Sequence, residues 1–191
     1  MQAQPWKIVG FAVYSASLFA LFCLSTLHHA LEGPPWMERG LRIADYCAIY
    51  PLIAGSFTPL VLVFLNHSGF GWGLLGTLWL LAFGGIALTI SAFDHLPRWV
   101  TLTIYVTMGW MGVLLALAVF PFVGFGGVAL LAGGGIAYTV GGVIYDLEKP
   151  NPMPGVFGFH EIWHLFVLAG AGMHWAFMWY YVVPFFPPPQ Q

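Results

Sequence analysis

The sequence predicts an all-α, polytopic transmembrane helix bundle of six spans in a single domain, residues 1–191. Three observations predict it. Charged residues make up 6% of the chain and apolar residues 60%. The mean hydropathy is +0.84. A soluble domain carries about 25% charged residues, so lipid must be the solvent for most of this surface. The charges are also clustered: residues 46–93 and 99–145 contain no Asp, Glu, Lys or Arg. One crossing needs about 20 apolar residues, so each of these stretches is long enough for two.

The elements follow from the charges and turns. Segment A covers 7–31. Lys7 before a charge-free run imitates a signal peptide, but a signal's apolar region is roughly 7–15 residues and no small-residue cleavage site follows. It is therefore read as a span, stopped by Glu32-Gly33-Pro34-Pro35. Asn66-His67-Ser68-Gly69 divides the next stretch into B, 45–65, and C, 71–93. Asp94, His95, Pro97 and Arg98 form a loop. Pro121 with Gly124, Gly126 and Gly127 separates D, 99–120, from E, 125–145. Asp146 to Gly158 is a polar, Pro-rich loop, and F runs from 159 to 183. Gly84, Gly85, Gly133, Gly134, Gly135, Gly141, Gly142, Gly170 and Gly172 are read as points of close helix approach. Cys23 and Cys47, in or beside apolar segments, read as packing residues and not as a disulfide framework.

A net charge of −2 with no basic run excludes nucleic acid as a partner. Arg39, Arg42, Arg98 and Lys149 fall in loops A–B, C–D and E–F, on one side; Lys7 is alone on the other. The positive-inside rule makes the first side cytoplasmic and puts both termini outside the plasma (inner) membrane.

Polar groups inside a membrane domain are costly, about 2.5–3.5 kcal/mol for a central charge on insertion scales. Those that persist there point to a site. Ser25, His28 and His29 lie near the cytoplasmic end of A, with Ser25 and His29 four apart on one face. Asp45 opens B. His160 and His164, again four apart, lie in the first turns of F. Alternation of the spans brings these groups to one depth. Two imidazoles on one helical face suit zinc, at about 2.0–2.1 Å from the ion. His29 supplies a third ligand and leaves a fourth position for water, with Asp45 holding that water or binding directly. An open position marks a catalytic site more than a structural one. A lone buried histidine is more often a packing residue. His28 reads as a loop-boundary residue, and His67 and His95 as solvated. His174, roughly 15 Å deeper along F, reads as an interhelical hydrogen bonder. His160-Glu161-Ile162-Trp163-His164 also matches the H-E-x-x-H pattern of zinc proteases, whose Glu is the general base. Such a protease needs a further downstream ligand, which nothing after His164 supplies.

Three blocks carry a resemblance: Leu24-Ser25-Thr26-Leu27-His28-His29, Ala44 to Pro59 beginning Ala-Asp-Tyr-Cys, and Phe157 to Val167 around His160-Glu161-Ile162-Trp163-His164. Gly141-Gly142-Val143-Ile144-Tyr145 also fits. Together they resemble the haemolysin III group of the progestin and adiponectin receptor superfamily. The resemblance implies an intramembrane zinc near the cytoplasmic leaflet, with three ligands that fall on His29, His160 and His164. It puts a water-mediated Asp ligand on Asp45 and the motif Ser on Ser25. It also implies seven spans. Segment A resembles the family's second helix, so six remain here, in a six-span member or a shortened chain. Ser56-Phe57 departs from the Thr-Tyr of many bacterial members.

The functional expectation is a zinc-dependent hydrolase of a lipid amide or ester, ceramidase-like by analogy, with membrane lipid as substrate. Asp45 would serve as general base or water holder and Ser25 as a hydrogen-bond donor to the oxyanion. The alternative is a non-enzymatic, zinc-stabilised sensor or regulator of membrane lipid or energy state. A pore-forming role has less support, because no helix carries a polar stripe long enough to line a channel.

Overall fold

A computed structural model of the chain describes residues 4–186. The chain divides into two compact units, 1–97 and 98–191. Among the described residues, the regular structure is helical throughout.

The first unit holds α1 (Pro5–Ala30), α2 (Pro35–Phe64) and α3 (Gly69–Ala92). α2 packs against both of the others and is the buried helix, with every residue from Ala54 to Phe64 buried. Small residues set the approach. A Cβ on Gly10 of α1 would stand 2.9 Å from the Pro59 Cα of α2, and one on Gly85 of α3 would strike the Tyr50 ring. Tyr50 is fully buried, and its hydroxyl lies 3.1 Å from Thr89 Oγ1. Trp79 Nε1 donates to Thr58 Oγ1 at 3.2 Å, a further α3–α2 link. The outer faces are apolar and open: Ile8, Phe19 and Leu80 are 63%, 72% and 72% exposed. In water such a surface would aggregate; in lipid it is solvated. Trp6 and Trp72 meet edge to face at one end of the unit, with centroids 5.7 Å apart, and Trp36 is exposed at the start of α2. Aromatic rings of this kind anchor helices at the headgroup level.

Segment B is the clearest boundary difference. Its helix begins at Pro35, not near residue 45, so Asp45 sits in the third turn of α2 and does not open it. The reason is physical. The charges at Glu38, Arg39 and Arg42 interrupt the apolar run but not the helix. Proline is well suited to the first helical position, and Glu38 favours the first turn. This polar end is tied to the loop after α3. Arg39 Nη2 donates to Asp94 Oδ2 at 2.6 Å, and the Arg42 guanidinium stands 5.2 Å from the Phe93 ring centre. The Arg39 hydrogen bond holds the Asp94 carboxyl below the usual carboxylate range.

The second unit holds α4 (Arg98–Trp110), α5 (Gly112–Leu147) and α6 (Phe159–Phe177), which continues through a π-helical turn, Met178–Val182. Among the described residues, five segments are long and apolar enough to cross a membrane, and Arg98–Leu147 is one of them, at 50 residues. A straight helix of that length would run about 75 Å against a hydrocarbon core of about 30 Å. It does not run straight. The backbone leaves the helical region at Gly124, φ 60° and ψ −164°, and the two arms lie antiparallel. Arg98 pairs with Glu148, Leu102 packs on Gly142, and Trp110 Nε1 donates to Thr139 Oγ1 at 3.0 Å. The expected break near Pro121 and the glycines therefore falls on Gly124.

That backbone conformation is open essentially only to glycine. Gly124→Ala is expected to destabilise the protein by about 1–3 kcal/mol. Thermal unfolding in detergent should show a midpoint several degrees lower. Gly135→Ala, at a helical site with open space around it, should show no loss.

The second arm of α5 and α6 form the core of this unit. Gly134 lies under the His174 ring, Gly141 under Trp163 and Phe166, and Gly170 under Tyr138. The loop between them is ordered by Asn151, whose Nδ2 donates to the Glu148 carbonyl at 3.0 Å and whose Oδ1 accepts from the Phe159 N–H at 3.1 Å.

Candidate metal centre

The first unit contributes a group from two helices. His28 and His29 occupy the last turn of α1, where unpaired carbonyls favour positive charge. Asp45 faces them from the third turn of α2. Ligand atoms of His28, His29 and Asp45 all lie within 4.8 Å of one another. His28 and Asp45 are half-buried and His29 is exposed. The two rings stand with centroids 4.6 Å apart. His28 Nδ1 is buried without a hydrogen-bond partner. Ser25 lies one turn before His29 on the same face, half-buried.

The second unit contributes the pair on α6. His160 and His164 are half-buried, with ring centroids 4.6 Å apart and planes at 88°. Their four-residue spacing puts them on one face, as expected. Glu161 holds the start of that helix. Its Oε2 accepts from the Gly158 N–H at 2.7 Å, and its Oε1 stands 3.5 Å from His160 Nδ1. A carboxylate beside Nδ1 fixes the tautomer that leaves Nε2 as a lone-pair donor, the usual outer partner of a metal-binding histidine. Tyr145, at the end of α5, packs its ring 6.2 Å from His160 and 5.6 Å from Trp163.

These placements decide several sequence readings. Glu161 turns back onto the helix start, which leaves the zinc-protease reading without its general base. His174 is buried in the helix interface with Nε2 3.3 Å from the Leu131 carbonyl, and its ring meets Tyr138 edge to face. His67 and His95 are exposed. His28 lies in the last turn of α1, at the loop boundary as read, but it also comes within reach of Asp45. Adjacent residues on a helix diverge by about 100°, so spacing alone argued against its sharing the face of His29. The partner helix supplies what spacing lacks, because α2 brings Asp45 within reach of both residues. Tyr145 stood in a recognisable block, but nothing in sequence spacing gave it a role, and the motif gave Glu161 a different role from the one its contacts show.

Two or three imidazoles with a carboxylate form the donor set of zinc and other late first-row divalent ions. The residues therefore fit such an ion in chemistry.

Comparison with known proteins bears on all of these residues. The family model described as Haemolysin-III related matches residues 1–175. The chain is 39% identical over 177 residues to Hemolysin-3 of Bacillus cereus, covering 93% of this chain and 77% of the relative. It is 36% identical over 186 residues to the Hemolysin-3 homolog of Bacillus subtilis (strain 168), covering 95% and 82%. It is 32% identical over 189 residues to the monocyte to macrophage differentiation factor of Homo sapiens, covering 93% and 72%.

Proposed function

Because the chain belongs to the Haemolysin-III related family, we propose that this helical membrane protein is a zinc-dependent hydrolase of a lipid amide or ester in the plasma membrane. In this reading His29, His160 and His164 hold the zinc, and Asp45 serves it directly or through water. The two arms of 98–147 each cross the bilayer, which makes six crossings and puts the site toward the cytoplasmic face. One observation carries the proposal. The ordered set Ser25-x3-His29, Asp45, His160-x3-His164 falls within the family match, and each unit already has its share of the donors gathered.

Zinc, when bound, supplies Lewis acidity for attack on a carbonyl. The chain's own residues do the rest. The Asp45 carboxylate orients a water molecule and accepts its proton. Ser25 Oγ–H donates to the oxygen that gains negative charge. The Glu161 carboxylate keeps His160 in the tautomer that binds. The apolar outer faces admit an acyl chain from the lipid phase.

The test is hydrolysis by purified, zinc-loaded protein over a panel of ceramide-like and glycerolipid substrates. Asp45→Asn should retain zinc through the three histidines and lose turnover by about 100- to 10,000-fold, the worth of a general base. Zinc present with no turnover on any amide or ester lipid would overturn the hydrolase.

A second reading has one observation in its favour. His29 and Asp45 belong to one compact unit, and His160 and His164 to the other. A shared ion would then be a staple, as a zinc-stabilised sensor of membrane state requires. Chelation would lower thermal stability while no reaction is lost.

A further inference from the structure

We propose that His28, His29 and Asp45 form a divalent transition-metal position of their own, contained in the first unit. It uses neither His160 nor His164. It shares His29 and Asp45 with the proposed zinc centre, so it is an alternative seat for one ion and not an additional one.

Four features support this. The three ligand atoms are mutually within 4.8 Å. Donors around a tetrahedral zinc at about 2.0–2.1 Å stand roughly 3.3–3.4 Å apart, so small side-chain rotations close the site. His28 Nδ1 is buried and unpartnered. Leaving such an atom unmet is costly, and a metal ion bound at its lone pair satisfies it. Both histidines lie in the last turn of α1, whose carbonyl end favours a cation. The donors are two imidazoles and one carboxylate, a set that suits Zn2+ or Co2+ over Mg2+ or Ca2+. By contrast, His160 lies at a helix start, which disfavours a cation, and Glu161 is needed there to offset it. The first-unit position is thus the electrostatically easier place for an ion to enter.

The experiment is Co2+ and Zn2+ titration of the full-length protein in detergent, read by the cobalt visible spectrum and by competition with a chelating dye. The His160→Ala/His164→Ala double variant should still bind close to one equivalent, at least about 100-fold more weakly than wild type. Adding His28→Phe should abolish that binding. Adding His28→Gln, which keeps a polar side chain, should do the same and guards against a folding defect, with helicity and elution volume checked for each. A double variant that binds no metal, or one that binds equally with and without His28, would overturn the proposal. Neither of those results touches the zinc centre, whose own measure is tight zinc in single variants of His160 and His164.

Discussion

Zinc affinity is expected to fall by more than about 100-fold when His164 is replaced with alanine. Changes to residues that only orient a ligand cost 10- to 100-fold, and His164 is proposed as a ligand itself. It lies one turn into α6 from His160, with ring centroids 4.6 Å apart. Alanine keeps the helix and removes only the donor. His160→Ala should match it. The measurement is zinc retained after passage through a chelator, with metal content set against protein. Wild type should keep about one equivalent and each variant less than a tenth. His174→Ala is the contrast. His174 is buried against Leu131 and Tyr138, farther along the same helix. Its loss should lower stability and leave zinc content unchanged. Equal zinc in wild type and His164→Ala would refute the assigned ligands. Hydrolysis, if present, should follow zinc content across the series.

The candidate donor residues could be picked out from sequence because their signal is local and expensive. Histidines four apart in an apolar chain share a face whatever the tertiary structure does, and a membrane tolerates few polar groups without a use for them. Membrane embedding was legible from composition for the same reason. What sequence could not supply were contacts made across helices. His28 gained its place from Asp45, a contact made across two helices, just as the start of α2 at Pro35, ten residues before the expected 45, was set by the local chain and not by the charges. Glu161 looked like a catalytic base by motif, yet its oxygens face Gly158 and His160. A motif specifies residue types, whereas capping geometry depends on how the preceding loop arrives, here held by Asn151. The two arms of 98–147 were separable only because glycine can take the conformation found at Gly124.

The glycines show the same limit most sharply, and they make the second large prediction. Gly84 and Gly85 are neighbours and have the same local sequence reading. On α3, a Cβ at Gly84 meets nothing within 4 Å, whereas a Cβ at Gly85 would overlap the Tyr50 ring. Tyr50 is fully buried, and its hydroxyl is engaged with Thr89 on α3 itself. The ring therefore has no free space to swing into, and α2 and α3 must separate to admit one methyl group. Overpacking of this kind costs about 1–3 kcal/mol. Gly85→Ala is expected to lower the unfolding midpoint in detergent by roughly 2–4 °C for each kcal/mol lost. Gly84→Ala should hold or raise it, since alanine is favoured over glycine inside a helix by up to about 1 kcal/mol. The mechanism has its own check in a double variant. Tyr50→Leu removes the aromatic ring that Gly85→Ala strikes, at the cost of a cavity and of the Thr89 contact. If the clash is the cause, the pair should couple: the second substitution should cost less in the Tyr50→Leu background than in wild type. Simple additivity would mean that Gly85 is sensitive for a reason other than the Tyr50 ring.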